Sequence, residues 1–576
     1  MNEKHRSSIP SPKRKNISRR TFLQLASATA GATFFAACAS PAAPEAEPET
    51  SSESMASEAE MSPASWEGGM MRPEGTPQRG GTLRTAFGVT MAHFDAHQGG
   101  GNHVLGMMYN ALVRRNLVDG LRTVVPDLAA SWEASEDGLT YTFTLREGVT
   151  FHDDEPFTSA DVVATFERIL NPPEGVVSRF QSDLTMVDSV EAVDDLTVQF
   201  NLNAPRAYFI DLLASDNNYV IYSKKSLEEN NFDLRETIAP GTGAFKFVEH
   251  LTAEKWVFER NENYWDSELP YVDGLEMLHV PAWSDRGTAV LTDQADMSWN
   301  VAFETWQEGE NREEIHVNKF PSTGAYWVMF NTNAEPFNDP RVRQAIHLGV
   351  SRQNLVRAFS TQEQINLTRW IPFGDQYATT PDAIAGLPGY REDKEEDIAT
   401  AKALLADAGF PDGIQGVELL AAAGPQAELL APAFQDMLMR NIGIEAEIRI
   451  IERALLSEEQ AAGTYQMMLH TRGHGLTDMS PKGNLWWRTG GSQNFGGYSN
   501  TEFDALLDQI DNELDPAARG EMIAQAMDIL DEDPPDYLIG YTFHLPMWNQ
   551  RVHGLALDER VVAQWARIET VWMDQA

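Results

Sequence analysis

Cysteine is almost absent from this 576-residue sequence, since Cys38 is its only copy. One cysteine cannot form an intramolecular disulfide bond, and a zinc site built on several cysteines is excluded as well. Positive charge is also scarce, because 44 Lys and Arg stand against 86 Asp and Glu and give a formal net charge of -42. The average surface therefore repels a phosphate backbone, and we expect no nucleic-acid partner.

The common signatures of hydrolases and nucleotide-binding sites are missing. The sequence contains no HExxH, no GxSxG and no GxxxxGK[ST] motif. Neighbouring acids such as Asp153 and Asp154 carry little information in a chain with 86 acids. We predict no enzymatic activity, no catalytic residue and no cofactor. A secreted hydrolase, whose two opposed acids the sequence cannot place, is the alternative from another class.

Residues 1–37 differ in composition from the rest of the chain. Basic residues lead to the string SRRTFL, which contains Arg19 and Arg20, and an uncharged apolar run then ends at Cys38. The run is shorter than the roughly 20 residues of a permanent membrane span. SRRTFL resembles a twin-arginine export signal and FAAC resembles a lipobox, in which the cysteine is lipidated after cleavage. We therefore expect a signal peptide at 1–37 and a membrane anchor through lipid on Cys38.

Removal of the signal makes the protein still more acidic. Residues 1–37 carry seven basic side chains and one acid, a net +6, so their loss leaves -48. Such acidity suits either surface solubility or a salty habitat, and composition leaves both open. Residues 38–79 are rich in Ala, Pro, Glu and Ser and are predicted to be a disordered tether.

Short β-like runs and amphipathic helical stretches alternate after residue 80. The pattern predicts strands at 82–87 and 140–145 and a helix at 159–170, which ends before Asn171 and two prolines. A single helix is predicted at 340–356. This alternation indicates an α/β fold with mixed sheets.

Six blocks of sequence carry a family resemblance. They are residues 126–163 (from PDLAASWE to SADVV), GTGAFKF at 241–247, RNENYW at 260–265, FNDPRVRQAIHLGVSR at 337–352, AKALLADAGFPDG at 401–413 and NFGGYSNTEFDALL at 494–507. In this order they resemble the family 5 extracellular solute-binding proteins of ABC importers, which include oligopeptide-, dipeptide- and nickel-binding members. Each block alone is typical of an ordinary structural segment. We expect the blocks to stabilise the fold rather than to contact the ligand.

The resemblance implies a two-lobed, periplasmic-binding-protein-like α/β fold (type II, cluster C) with an extra subdomain in lobe one. We expect lobe one at 80–321, with the inserted subdomain at about 105–235, lobe two at 322–545, and a return to lobe one at 546–576. The lobes are expected to close over a small solute, which shifts the population toward the closed form. The implied partners are the permease subunits of an ABC importer, and the implied location is outside the cytoplasm, in the periplasm or on the outer face of the membrane. We expect a monomer.

The candidate solute site lies in residues 474–491. In peptide-binding members a similar stretch carries an Asp that pairs with the α-ammonium of the peptide, and Asp478 occupies that place; the alternative is that Asp478 only caps the turn before Pro481. The family has a Trp a few positions earlier, where this chain has Gly473, His474 and Gly475. His474, which lies in this region, is also among the candidate ligand-binding residues.

Trp486, Trp487 and Arg488 complete the candidate site. Aromatic faces beside a cation suit stacking on peptide side chains, sugars or cyclic solutes, although adjacent tryptophans point in different directions and both could lie in the core. His470 and His474 could share a metal only on a helix, which the neighbouring glycines disfavour, so no metal site is predicted. A peptide is the leading solute, with an oligosaccharide or a nickel or other metal chelate as the alternatives.

Overall fold

The computed structural model describes residues 76–574 except 89–90, 92, 100–101, 117–122, 216–217, 360–364, 374, 425, 475, 477 and 556–567. The expected export signal with Arg19 and Arg20, the lipidation residue Cys38 and the tether up to residue 75 lie outside the described residues. Within the described ranges, no helix has both the length and the apolar character needed to cross a bilayer.

The first sheet has seven strands within the described residues. From edge to edge they are Ile315–Val317, Met547–Asn549, Met297–Ser298, Thr82–Phe87, Gly274–His279, Lys255–Arg260 and Phe245–Leu251. Thr82–Phe87 runs parallel to both of its neighbours and the other pairs are antiparallel, so the sheet is mixed. Leu83 and Ala86 point to opposite faces of this central strand and are buried in two different apolar clusters.

The second sheet has six strands among the residues that the structure describes. Their order is Ile365–Asn366, Asp536–His544, Phe320–Phe330, Met467–Gly473, Ile414–Ala422 and Ile444–Ile451. Ile414–Ala422 is parallel to both neighbours and the remaining pairs are antiparallel. Trp327 and Val328 of the long central strand lie in different clusters on the two faces, which explains why its sequence is continuously apolar rather than alternating.

A third, antiparallel sheet orders its strands Ala129–Ala134, Thr140–Leu145, Thr197–Leu202 and Val187–Asp194. Tyr141, Phe143 and Leu145 alternate with threonines and face a separate apolar cluster, to which the helix Ser159–Leu170 also contributes. Two short ribbons pair Val113–Arg115 with Val124–Pro126 and Val552–His553 with Trp572–Met573. We call residues 112–221, which contain this sheet and nearly all of its apolar cluster, the third-sheet unit.

Helices cover the sheets. In the first and third-sheet regions they are Asn102–Leu105, Ser159–Leu170, Phe209–Leu213, Lys224–Glu229, Trp283–Leu291 and Phe303–Glu310, with 3-10 turns at Gly106–Met108 and Ser182–Leu184. Around the second sheet they are Pro340–Gly349, Arg352–Ala358, Pro381–Ala385, Glu395–Asp407, Ala431–Ile442, Arg453–Ala462, Met479–Lys482, Thr501–Asn512 and Pro516–Glu532, with π-helical turns at Gln426–Leu430 and Gly483–Trp487.

The predicted single helix at 340–356 is wrong. The chain forms two helices, Pro340–Gly349 and Arg352–Ala358, which are separated at Val350 and Ser351. The Ser351 hydroxyl accepts a hydrogen bond from the N–H of Asn354 at 3.3 Å and so caps the second helix. Apolar periodicity continues across the break, which is why the pattern alone did not reveal it.

Three of the sequence blocks meet where the third-sheet unit joins the first sheet. The N–H of His152 donates to the Gly241 carbonyl at 2.8 Å, and Asn261 Nδ2 donates to the Gly243 carbonyl at 3.0 Å. A Cβ at Gly243 would lie 2.4 Å from the carbonyl carbon of Met108, so only glycine permits this close approach of two backbone segments.

The chain passes between the first and second sheets along two adjacent segments. Phe320 pairs with His544 and Pro321 with Phe543 in antiparallel register, and the N–H of Asn318 donates to the Pro546 carbonyl at 3.3 Å. The two crossing segments therefore run side by side.

Candidate functional site

The predicted site segment follows the central part of the second sheet. The strand Met467–Gly473 ends just before His474, and the short helix Met479–Lys482 then leads into the wide turn Gly483–Trp487. Asp478 is the N-cap of that helix, because its Oδ1 accepts a hydrogen bond from the N–H of Ser480 at 2.8 Å.

Asp478 also forms a two-pronged ion pair with Arg519. Arg519 Nη1 donates to Oδ2 at 2.6 Å and Nη2 donates to Oδ1 at 2.8 Å, while the side chains are 5% (Arg519) and 18% (Asp478) exposed. Burial favours the neutral acid, but the hydrogen bonds and charge of Arg519 outweigh it and lower the pKa of Asp478. The carboxylate is therefore ionised, and among the described residues its Oδ2 accepts a hydrogen bond from Arg519 alone.

Lys482 is a second cation near Asp478, one helical turn further on. Its side chain is buried, and its Nζ lies 3.5 Å from the Tyr541 hydroxyl. Burial lowers the pKa of Lys482 to about 8, against the opposing charges of Asp375 and Asp478. At neutral pH the amine is mainly protonated, so the segment holds both signs of charge in a poorly solvated place.

His474 is neutral in this environment. Burial and the charge of Lys482 lower the pKa of His474 to about 4, and its Nδ1 accepts a hydrogen bond from the N–H of Leu476 at 3.0 Å. The proton therefore belongs on Nε2, which can act as a donor. His470 lies on the strand and not on a helix. Among the described residues, no group of three or more His, Cys, Asp or Glu side chains could hold a metal ion.

The two tryptophans of the segment are both buried in one apolar cluster, which is the core position given as the alternative above. Trp487 Nε1 donates to Asp536 Oδ2 at 2.8 Å, and Trp486 Nε1 donates to Gln493 Oε1 at 3.1 Å. The ring of Trp486 meets that of His474 edge to face at a centroid distance of 6.2 Å.

Arg488 donates to two side chains other than Asp478. Its Nε donates to Asn484 Oδ1 at 2.6 Å, and its Nη2 donates at 2.7 Å to Asp508, whose side chain is largely exposed. The structure thus groups Asp478 with Lys482 and Arg519, and His474 with Trp486. A ligand-binding role for any of them stays a prediction.

The third-sheet unit lies against this segment. Leu476 is buried in the apolar cluster of that unit, and the N–H of Ala207 donates to the Asp511 carbonyl at 3.1 Å. Tyr208 sits next to this contact, where burial and the charges of Asp511 and Asp478 contribute to raising its pKa. The site segment therefore packs against the third-sheet unit as well as against the second sheet.

Several of these groups were missed by the sequence analysis. Lys482 had a weak signal, since it is four residues after Asp478 on a short helix. Arg519, Tyr208 and Asp511 gave none, because each reaches the segment from a distant part of the chain.

Three kinds of comparison with known proteins all find solute-binding proteins that are similar to this chain. The model for bacterial extracellular solute-binding proteins, family 5 Middle, matches residues 123–495. Dipeptide-binding protein DppE of Bacillus subtilis is 24% identical over 468 residues, which are 76% of this chain and 84% of that protein. Heme-binding protein A of Haemophilus influenzae is 27% identical over 481 residues, covering 78% and 84%. The structure of DppA from Helicobacter pylori in complex with the peptide STSA has a TM-score of 0.71 and 25% identity, and the match covers 86% of this chain and 99% of that one.

Proposed function

The chain belongs to the bacterial extracellular solute-binding proteins of family 5, and from this premise we propose that it captures a peptide and delivers it to the permease of an ABC importer. Its α/β fold, with mixed sheets, is that of the periplasmic binding proteins. Members of the family bind small solutes for transport, so the chain is a binding protein and not an enzyme. Peptide cargo is supported by the names of DppE and of the DppA complex.

Capture proceeds by closure of two lobes. Lobe one is residues 80–321 with 546–576, lobe two is residues 322–545, and the inserted subdomain is about 105–235. The two adjacent crossing segments that join the first and second sheets are a suitable hinge, since bending them moves one sheet against the other. A peptide that contacts both lobes only when they are closed stabilises the closed form, which the permease subunits then recognise.

The α-ammonium of the peptide binds Asp478. The observation that carries this assignment is the carboxylate itself, which Arg519 holds ionised and oriented and whose Oδ2 accepts no second bond from the described residues. A charge-assisted bond in a poorly solvated site contributes about 1.5–3 kcal/mol. His474 and Trp486, with Trp487 and Arg488, are the further candidates on this segment.

Calorimetry with Ala-Lys-Ala and its N-acetyl derivative tests the assignment. Acetylation removes the ammonium, so we expect on the order of a tenfold to hundredfold weaker binding. Asp478→Asn should weaken binding of the free peptide and remove most of this discrimination. The matched control is Asp436→Asn, which removes a half-exposed carboxylate from the helix Ala431–Ile442 of the same lobe. Equal affinity of the wild-type protein for both peptides would exclude Asp478 as the ammonium site.

Export and anchoring follow from the N-terminal sequence. The twin arginines Arg19 and Arg20 direct export, and lipid on Cys38 keeps the monomeric binding protein at the outer side of the cytoplasmic membrane. Mass spectrometry of the mature N-terminus tests this: we expect a diacylglyceryl-modified Cys38, and an unprocessed Met1 would contradict it.

A further inference from the structure

Trp283 is the most exposed tryptophan among the described residues. It is 54% exposed, whereas every other tryptophan in the described ranges is buried or partly buried. Tryptophan carries a large apolar surface and is enriched where proteins contact other molecules. The exposed indole is therefore a candidate contact surface, and the proposed ammonium site does not use it.

The indole lies at the edge of the first sheet where its parallel strands end. Trp283 is the first residue of the helix Trp283–Leu291, which carries the chain from the strand Gly274–His279 to the strand Met297–Ser298. Both strands run parallel to Thr82–Phe87, which lies between them, so the three carboxyl ends share one edge of the sheet. Ligands of open α/β sheets bind outside the carboxyl ends of parallel strands.

Backbone hydrogen bonds connect Trp283 to the crossing segments between the two sheets. The N–H of Ala302 donates to the Trp283 carbonyl at 3.1 Å, and the N–H of the preceding Val301 donates to the Leu545 carbonyl at 3.1 Å. Leu545 belongs to one crossing segment, which enters the first sheet opposite Ser298, at the carboxyl end of its strand. The crossing segments therefore leave the first sheet from the edge that carries Trp283, which is the edge on the side of the second sheet.

The backbone that carries Trp283 is fixed by side-chain hydrogen bonds. The buried Arg286 donates through Nε to the Val280 carbonyl at 2.8 Å and through Nη2 to the Pro281 carbonyl at 2.9 Å. A Cβ at Gly88 would lie 1.9 Å from Arg286 Nη2, so glycine leaves the room that the guanidinium needs. The turn before the helix is thus already ordered, and a ligand that covers the indole does not have to order it.

Closure of the proposed lobes needs a contact between the solute and the first lobe. All the candidates at 474–491 belong to the second lobe, and a solute that contacts only one lobe has equal affinity for the open and closed forms. An exposed aromatic side chain beside the crossing segments is suitably placed for the missing contact.

We propose that Trp283 is the contact of the first lobe and that its indole stacks on an aromatic side chain of the peptide while Asp478 holds the α-ammonium. An aromatic guest gains ring–ring attraction in addition to the burial of apolar surface on both rings. The preferred cargo is therefore a peptide that contains Phe, Tyr or Trp. This inference rests on the proposed peptide function.

Native mass spectrometry with a pool of tripeptides tests the proposal. The pool contains Ala-Ala-Ala, the three variants with one Phe and the three variants with one Lys, and each class has the same total concentration. We expect the wild-type protein to capture the Phe class on the order of tenfold over Ala-Ala-Ala. Trp283→Ala should abolish this preference without loss of Ala-Ala-Ala capture, and Trp283→Phe should keep part of it. Thermal melting of each variant verifies that it is folded.

Tryptophan fluorescence gives a second readout of the same contact. The Phe peptides should protect emission of the wild-type protein from quenching by iodide, and Trp283→Phe should lose most of this protection. The matched control is Trp132, a partly exposed tryptophan on the strand Ala129–Ala134 of the third sheet. Trp132→Phe should keep the protection, and Trp132→Ala should keep the Phe preference.

The outcomes separate this inference from the proposed function. Capture of tripeptides without a Phe preference, a larger preference for the Lys class, or a Phe preference that survives Trp283→Ala overturns this inference alone. Failure to capture any tripeptide overturns the peptide function and the inference with it.

Discussion

Asp478 and Arg519 show how two charges can remain ionised with little access to water. The arginine fork matches both carboxylate oxygens, and Arg519 Nη2 donates to the Ser480 hydroxyl at 2.8 Å as well. The ring of Tyr377 lies beneath the guanidinium at 5.3 Å. Each charge is thus compensated by a direct partner. Removal of one partner leaves the other charge buried and unpaired, which costs its full free energy of desolvation.

Replacement of Arg519 by Met should therefore destabilise the protein strongly. We expect the free energy of unfolding at pH 7 to fall by about 3 kcal/mol, the lower end of the range for a broken buried pair, because Asp478 is 18% exposed. The pKa of Asp478 is lowered in the folded state. The contribution of the pair is therefore present above the unfolded-state pKa of about 3.9 and is lost as pH falls through the folded-state value.

Urea unfolding across pH 3–7 measures this effect. The difference between the wild type and Arg519→Met should narrow as pH falls, first because burial favours protonation of the unpaired Asp478 in the variant, and then, below about pH 4, because the wild type loses the contribution of its pair. The double variant Asp478→Asn with Arg519→Met should recover part of the loss. A single variant as stable as the wild type at pH 7 would show that the pair contributes nothing.

At the level of helices and strands, local signals decided what the sequence could predict. The helix Ser159–Leu170 has the predicted ends, because Asp161 bonds to the N–H of Thr158 at its start and Asn171 precedes prolines at its end. The break at Ser351 was missed because a serine inside a periodic pattern is a weak signal. Arg519 could not be assigned to Asp478, since 41 residues separate them and no periodicity links two distant elements.

Gly243 lies where two backbone segments pack closely together. In Gly243→Ala the new Cβ would lie 2.4–2.7 Å from the Met107 and Met108 backbone, which cannot rotate away. We expect a loss of about 2–3 kcal/mol in the free energy of unfolding, as for other overpacked sites. The control Gly386→Ala has its nearest neighbour at 3.8 Å and a φ of -90°, and should change stability little. Similar denaturation midpoints for the two variants would contradict this account.

For the whole molecule, the periodicity of the sequence cannot specify which strands pair with one another in a sheet. Met547–Asn549 pairs between Ile315–Val317 and Met297–Ser298, although about 230 residues of chain intervene. Alternating apolar patterns identify such strands but carry no information on which sheet they join. The expectation of a mixed α/β fold came from pattern, whereas the two-lobed fold came from the resemblance of the six blocks.

The net charge of the whole molecule should affect the rate at which a cationic peptide binds. The sequence carries a formal net charge of -42, which would become -48 on cleavage of the proposed signal at residues 1–37, and this negative charge attracts a cationic peptide over distances beyond direct contact. Salt shortens this range from about 10 Å at 0.1 M to about 3 Å at 1 M. The association rate constant of Ala-Lys-Ala should therefore fall about tenfold between 0.02 and 0.5 M NaCl, whereas that of zwitterionic Ala-Ala-Ala should change little.

Stopped-flow tryptophan fluorescence can follow both rates, since the sequence contains 14 tryptophans. Asp478→Asn removes one charge from a field made by dozens, so the salt dependence of association should persist in that variant. Its dissociation rate for Ala-Lys-Ala should instead rise on the order of tenfold, because the lost contact is local and forms only in the bound state. If the variant lowers the association rate and leaves dissociation unchanged, Asp478 acts through the long-range field and does not contact the peptide.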